Sequence, residues 1–265
     1  MKEDTFIRFR DRLQFPKETR VRLPRKCEMS CAFAHGEVCF YETTFLCGLR
    51  FPIHPFIMEL LHYLNIALGQ LMPNSWRIVI SYMVIWMIIV DGDMITLNEF
   101  IHLYHLKESK EFGYYELVPW DRRSRLIVNL PSSFHYWKFR YFFVSVGKPF
   151  LMTSGGMSLG CCIDGRHLNL VHLPCIFFFF FLVYLFTLII PSDLVCVFFY
   201  FIVRDRPELE SRFEERVRAA VKYVSTIDDF DDLVDPRTLA RHCLGPKPSH
   251  YVLHAIHREE KSESL

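Results

Sequence analysis

The sequence has few features that would point directly to a function. Its formal net charge is only +1, so no overall electrostatic field steers the chain toward nucleic acid or membrane. It has no N-terminal apolar signal segment, and its 9 cysteines, an odd number, show no spacing typical of a disulfide framework. We therefore expect a reducing intracellular environment, in the nucleus or the cytoplasm.

Motifs for nucleotide binding and nucleophilic catalysis are also lacking. The glycine-containing stretch 147–165 has no G-x-x-x-x-G-K-[ST] pattern, so it is read as a linker and not as a phosphate-binding loop. Ser132, Ser133 and His135 are neighbours in sequence, but adjacency says little about the geometry of a catalytic triad. We predict no catalytic residue and no cofactor.

Residues 48–106 contain three successive helical patterns around which the chain is organised. Pro55 suits a first helical position, and the apolar residues behind it recur at helical spacing up to a stop at Gly69. Pro73 opens the next segment. Residues 76–90 are apolar almost all round, which is typical of a helix buried in the middle of a core.

The third helical pattern begins after the turn at 91–93. Thr96 and Glu99 form a capping-box pattern that predicts a helix through Leu106. The same stretch superficially resembles a calcium-binding loop. However, placing Glu99 at the bidentate position puts Ile88 where an oxygen ligand belongs, so we favour a turn and a helix cap.

Residues 1–39 are expected to form a basic, irregular leader. A basic arm binds phosphate backbones or serves as a nuclear address, and the alternative is a solvated leader without a partner. The interleaved aromatic residues of a single-strand binding groove are missing. The candidate nucleic-acid-binding residues are Arg8, Arg10, Arg12, Arg20, Arg22, Arg25 and Lys26.

Cys27, Cys31, His35 and Cys39 recur every four residues within the leader. Thiolates and imidazole are zinc ligands, and four is the number that a structural site requires. The spacing argues against zinc, because a continuous helix would spread these residues over about 18 Å. We favour incidental cysteines on a short helix or loop and keep zinc as the alternative.

Short strands are predicted after the third helix. Residues 113–119, 125–130 and 137–145 carry strand-like patterns separated by turns. A short antiparallel meander packed on the helical core would give an α+β unit over residues 40–145.

Several of these segments resemble a plant family of gypsy-type transposon domains. The matching stretches are GLRFPIHPFIMELL, GQLMPNSWRIVI, DGDMITLNEFIHLY, GYYELVPWDRRSRLIVNLPSS and WKFRYFFVS, followed later by DRPELESRFEERVRAAVKYVSTIDDFDDLVDPRTLARHCLGP. The resemblance implies a gag-like portion of a retroelement that associates with copies of itself. It supplies no catalytic residues.

Residues 146–203 interrupt this resemblance. Within 175–203, 21 of 29 residues are Phe, Leu, Ile or Val, all of which have U at the second codon position. Gly147-Lys148 can be encoded GGUAAG, which matches a splice-donor consensus. We therefore interpret 146–203 as a translated, retained intron.

The competing interpretation is a transmembrane helix at 176–203. Its two apolar runs are separated by Pro191, and a tilted helix bent there could cross a bilayer of about 30 Å. Asp193 near its middle would cost about 2.5–3.5 kcal/mol on insertion scales. The segment would then anchor the protein to a membrane.

Residues 204–265 are predicted to form a helical block. A helix opens at Pro207 with an apolar stripe, and Asp235-Pro236 begins a short last helix that ends at Gly245, while 250–265 is expected to fray. Separated carboxylates are typical of two-metal nucleases, but here helix capping and a solvated linker are the simpler account. The crowded carboxylates are Asp228, Asp229, Asp231, Asp232 and Asp235.

The sequence therefore predicts an α+β fold with a mainly helical core and a C-terminal helical segment. Its expected parts are a leader (1–39), a transposon-like domain (40–145), an anomalous insert (146–203) and a C-terminal block (204–265). The favoured function is a non-enzymatic structural or interaction protein. The alternatives are a membrane-anchored protein and, ranked last, a transposase-like nuclease.

Overall fold

The computed structural model describes residues 3–32, 34, 36–110, 113–121, 136–145, 161–163, 166–168, 206–227 and 229–263. Its described part contains eight α-helices and seven strands, which confirms the α+β class. The helices are α1 Glu3–Arg12, α2 Glu42–Leu46, α3 Pro55–Leu64, α4 Pro73–Ile89, α5 Leu97–Leu103, α6 Ser211–Val224, α7 Pro236–Arg241 and α8 His250–Glu263. The strands are β1 Val21–Arg22, β2 Glu37–Tyr41, β3 Tyr104–Glu108, β4 Tyr115–Pro119, β5 Tyr141–Ser145, β6 Cys161–Ile163 and β7 Arg166–Leu168.

Helix α4 runs through the middle of the core, as its composition predicts. Pro73 lies in the first turn, where its missing N–H leaves no hydrogen bond unmade. Of its 17 residues, 13 are buried, and Tyr82 and Trp86 are fully enclosed. The helix ends at Ile89, after which Asp91 and Gly92 turn the chain with φ angles of 47° and 94°.

Helix α3 begins as predicted and ends earlier than predicted. Pro55 is its first residue, and Nδ1 of His54 accepts a hydrogen bond from the Phe56 amide at 3.2 Å. Asn65 takes the left-handed conformation at φ 53° and ends the helix, a role that asparagine tolerates well. Gly69, the predicted stop, lies instead in the short 3₁₀ turn Leu68–Gln70.

Helix α5 has the predicted capping box, but it ends at Leu103. The Thr96 side chain accepts from the Glu99 amide, and the Glu99 carboxylate accepts from the Thr96 amide at 2.8 Å. Residues 104–108 form β3, which pairs antiparallel with β4. The predicted helix through Leu106 is therefore wrong, because pairing with β4 outweighs local helical preference.

A second sheet has the order β1–β5–β2, with both outer strands antiparallel to β5. In the predicted meander β5 would pair with the strand at 125–130. It lies instead between β1 and β2, from the N-terminal part of the chain, so the predicted meander is wrong. The predicted strand 137–145 divides into the 3₁₀ turn Trp137–Phe139 and β5. The predicted strand at 125–130 lies outside the described residues.

The N-terminal segment forms regular structure, which differs from the irregular leader that the sequence indicates. Phe6, Phe9 and Leu13 of α1 and its extension are buried, and β1 adds an edge to the sheet. The Phe6 and Phe142 ring centroids are 5.2 Å apart. Apolar residues at helical spacing lie among the many charges here, and they attach the segment to the core.

The C-terminal block also packs on the core. Helix α6 begins at Ser211, four residues later than predicted, and Ala220 and Val224 are buried. Asp235 caps α7, as predicted, by accepting from the Arg237 amide at 2.7 Å. Residues 250–263, which were expected to fray, form α8 and bury Val252 and Ile256.

The predicted insert 146–203 and its apolar segment 176–203 lie outside the described residues, apart from the antiparallel pair β6–β7. In the part of the chain that the structure describes, no helix is both long enough and apolar enough to cross a membrane.

Candidate functional site

The predicted nucleic-acid-binding residues differ in how exposed their side chains are. Arg10 is half-buried and donates to the Thr19 carbonyl at 3.4 Å. Arg25 and Lys26 are exposed in the turn after β1. The full exposed set is Arg8, Arg12, Arg20, Arg25 and Lys26.

Arg22 is not in the exposed set, and two carboxylates of the fold balance its charge. Its guanidinium donates to both oxygens of Glu37, each at 2.7 Å, and to both oxygens of Glu28 at 2.9 and 3.0 Å. It also lies 4.2 Å from the centroid of the Phe143 ring. These paired hydrogen bonds raise the pKa of Arg22 and lower the pKa values of Glu28 and Glu37. Arg22 therefore joins β1 to β2 and the intervening turn, and we assign it a structural role.

Acidic pH is expected to weaken this network. The lowered pKa values of Glu28 and Glu37 mean that their ionised forms stabilise the folded state above the ordinary value of 4.5, and that this stabilisation is lost as pH falls through the folded-state values. In Arg22→Met the largest cause of both pKa shifts is gone, so stability should fall less between about pH 6 and about pH 3 than in the wild type. Urea midpoints measured across this range test the prediction.

Lys107→Met is the matched control, because Lys107 and Glu116 form an exposed ion pair at 3.2 Å. That variant should keep the pH dependence of the wild type. Equal pH dependence of Arg22→Met and Lys107→Met would contradict the role given to Arg22.

The four candidate zinc ligands do not share one environment. Cys27 and Cys31 are exposed, whereas Cys39 is buried in β2, and His35 lies outside the described residues. Among the residues that the structure describes, no group of three or more His, Cys, Asp or Glu side chains is placed to hold a metal ion. Cys39 lies in a strand paired with β5, so the four positions do not follow one continuous helix.

Three of the four described carboxylates of the C-terminal cluster have separate structural partners, and the fourth, Asp232, is exposed. Asp229 accepts from the Asp231 amide at 2.8 Å, and Asp231 forms an ion pair with Arg77 of α4. Asp235 caps α7 and accepts from the Arg237 side chain at 3.0 Å. Asp228 lies outside the described residues. The cluster thus ties the C-terminal block to the core and caps its helix.

A polar junction surrounds Glu99, whose side chain is fully buried. One carboxylate oxygen accepts from Trp86 Nε1 at 3.0 Å and lies 2.9 Å from Nε of Arg216. The other accepts from the Thr96 amide and hydroxyl at 2.8 and 2.7 Å. A buried carboxylate needs such partners, because an unpaired charge in the interior is costly.

Arg216 extends this junction from the C-terminal block onto the turn before α5. Its Nη2 donates to the Met94 carbonyl at 2.9 Å, and Nη1 lies 3.6 Å from a carboxylate oxygen of Asp93. The capping box at Thr96 and Glu99 was visible in the sequence. The partner Arg216 was not, because nothing in local spacing links residues more than 100 positions apart.

Beyond the insert, the chain re-enters the fold against α5. Nδ1 of His102 is 2.7 Å from the Pro207 carbonyl oxygen, and Arg206 donates to the His102 carbonyl at 2.9 Å. The Arg206 guanidinium also lies 2.7 Å from Nε2 of His102. The carbonyl oxygen can only accept, so Nδ1 carries the proton and Nε2 accepts from Arg206. Arg206 and Pro207 therefore attach the chain that follows the insert to α5.

A comparison with protein families identifies the segment of the chain that contains Glu99 and His102. Residues 38–108 match the family model described as "Putative gypsy type transposon". The chain carries a gypsy type transposon segment. This confirms the family resemblance that the motifs within 48–106 indicate. No curated protein and no solved structure matches the chain significantly.

The gypsy type transposon segment covers about a quarter of the chain and runs from β2 to the last residue of β3. Glu99 and Trp86 lie inside it, whereas Arg216 lies outside it. The packed unit is thus larger than the matched segment. It includes α1, β1, β4 and β5 as well as α6 to α8.

Proposed function

We propose that this transposon-derived protein is a gag-like structural and interaction protein of a plant gypsy-type retroelement, without catalytic activity, in the nucleus or cytoplasm. The observation that carries the proposal is the family match over 38–108. It is supported by the use of the buried charges Arg77 and Glu99, with the half-buried Arg216, to join segments of the fold. The membrane-anchored and nuclease alternatives gain no support from the described residues.

We further propose that residues 146–203 are a translated, retained intron that separates two parts of one domain. The support is that residues on both sides of the insert pack on the same core: β5 pairs with β1 and β2, and α6 joins Glu99 through Arg216. Long-read sequencing of the transcript across the codons for Ser145 to Asp205 tests this. Transcripts that always retain the segment would contradict it.

Self-association and nucleic-acid binding are the interactions proposed for a gag-like role. The support for nucleic-acid binding is the exposure of five basic side chains in the N-terminal segment, among them Arg8, Arg12 and Arg20. Exposed cations bind phosphate backbones through counterion release, which makes the affinity depend on salt.

The triple variant Arg8→Ala/Arg12→Ala/Arg20→Ala is expected to bind single-stranded RNA more weakly than the wild type. Each phosphate contact that is lost should reduce the slope of log K against log salt by about 0.7. Fluorescence anisotropy over a salt series measures both the affinity and the slope.

The matched control removes three positive charges from exposed positions of α6, as Arg212→Ala/Arg218→Ala/Lys222→Ala. It should keep the salt slope of the wild type. Equal slopes for the two triple variants would contradict binding through the N-terminal segment.

Self-association is tested by light scattering over a concentration series, which should give a mass above that of one chain. A monomer across the whole concentration series would contradict the gag-like proposal.

A further inference from the structure

Helix α8 carries two exposed histidines on the side that faces away from the core. Val252 and Ile256 attach the helix to the rest of the fold, and both are buried. At about 3.6 residues per turn, His250 and His254 lie on the opposite side of the helix from these two residues. Both histidines are exposed, so their imidazole rings are accessible from solvent.

The two rings are placed as a chelating pair. Histidines four residues apart on one helix face can bind the same zinc ion. The ring centroids of His250 and His254 are 6.4 Å apart, and the ring planes are inclined by 33°. Because a zinc–nitrogen bond is about 2.0–2.1 Å long, two imidazoles on one ion have centroids roughly 5–6 Å apart. Neither ring is hydrogen-bonded to another described residue, so a small rotation of the side chains closes the difference.

One chain supplies only half of the ligands that zinc requires. Zinc in structural sites is almost always held by four ligands in a tetrahedral arrangement. Among the residues that the structure describes, no third His, Cys, Asp or Glu joins the pair to form a group that could hold a metal ion. A second copy of the chain, related by a twofold axis, would bring the same two imidazoles and complete the four ligands.

Exposed apolar side chains lie on both sides of the histidine pair. Around the circumference of α8 the order is Leu253, His250, His254 and Tyr251, with neighbours separated by about 40–60°. Tyr251 is 54% exposed and Leu253 is 42% exposed. A second copy that shares the zinc ion would cover both side chains, and the burial of their apolar surface would stabilise the contact.

We propose that His250 and His254 of two copies together bind one zinc ion and join the two chains through α8. Imidazole nitrogen is a ligand that suits zinc, whereas magnesium and calcium prefer oxygen. The start of α8 is fixed to the N-terminal segment, because the Ser249 amide donates to the Gln14 side chain at 2.8 Å. The ligand pair therefore lies on an element attached to the core. This inference rests on the proposed self-association and names the surface and the ion that mediate it.

Light scattering of the full chain in EDTA, in Mg²⁺ and in Zn²⁺ tests this contact. Zn²⁺ should raise the mass about twofold over that in EDTA, and Mg²⁺ should leave it unchanged. Equilibrium dialysis should give one bound zinc ion for two chains. Equal association in EDTA and in Zn²⁺, or zinc bound without a change in mass, would overturn the zinc contact alone. A monomer in all three solutions would overturn both this inference and the proposed self-association.

Substitutions separate this pair from other zinc ligands of the chain. His250→Ala and His254→Ala should each abolish the zinc-dependent rise in mass, because one histidine per chain leaves too few ligands for the ion. His257→Ala is the matched control, since it removes an exposed histidine from the same helix, and it should keep the rise. Cys27→Ser/Cys31→Ser removes two exposed thiols and should also keep it. A rise that survives His254→Ala, or that is lost equally in His257→Ala, would overturn the proposal.

Discussion

Glu99→Ala is expected to destabilise the protein by about 3–5 kcal/mol. The substitution would leave Trp86 Nε1, the Thr96 amide and the Arg216 guanidinium without the carboxylate that they share in the interior. Removing one member of a buried charged network leaves the others desolvated and unpaired, which costs more than the net gain from forming the network. Guanidinium unfolding followed by tryptophan fluorescence measures the loss.

Two further variants show which part of this effect belongs to the charge. Glu99→Gln keeps an acceptor for the helix cap but removes the negative charge facing Arg216, so it should lose less than Glu99→Ala. Glu116→Ala removes a carboxylate from an exposed ion pair and should change stability by less than about 0.5 kcal/mol. If Glu99→Ala were as stable as Glu116→Ala, the buried junction would not hold the fold together.

Gly48→Ala is the second substitution with a large expected effect. Gly48 has φ +104°, and a Cβ atom there would lie 2.9 Å from Cγ2 of Ile80 and 3.0 Å from Cγ1 of Val234. Backbone strain of about 1–3 kcal/mol and overpacking of about 1–3 kcal/mol should therefore add. Because Gly48 has no side chain, Ile80 of α4 and Val234 of the C-terminal block can both pack against its turn. The loss of stability in Gly48→Ala therefore measures how closely these two parts of the chain pack there.

Gly92→Ala is the matched control for Gly48→Ala. Gly92 has φ +94°, but nothing lies within 4 Å of the Cβ atom that would be added. It should therefore show the backbone strain without the steric clash. The difference in unfolding free energy between the two variants measures the clash, and no difference would mean that Ile80 and Val234 do not pack against Gly48.

The parts of the fold that the sequence predicts best are those with local causes. The apolar composition of 76–90 predicts the buried helix α4, and Pro55 and Pro73 mark helix starts. The pairing of Thr96 with Glu99 follows from a spacing of three residues. In each case the physical reason lies within one or two turns of helix.

Other features depend on partners that are distant in the sequence. Strand β5 pairs with β2, about 100 residues earlier, so no local pattern identifies it. Tyr104–Glu108 continues a helical pattern but becomes β3 because β4 offers a hydrogen-bonding edge. Arg22, one of many basic residues in its segment, differs from them only through Glu28 and Glu37 in the folded state.

The central claim is that residues on both sides of the insert form one folded unit around the gypsy type transposon segment. Co-expressing residues 1–145, with an affinity tag, and residues 204–265 as two separate chains tests it most directly. The two chains should purify together, and Arg216→Ala in the second chain should weaken their association, because it removes the partner of Glu99. Failure of the wild-type chains to associate, while each remains soluble and folded by circular dichroism, would contradict the claim.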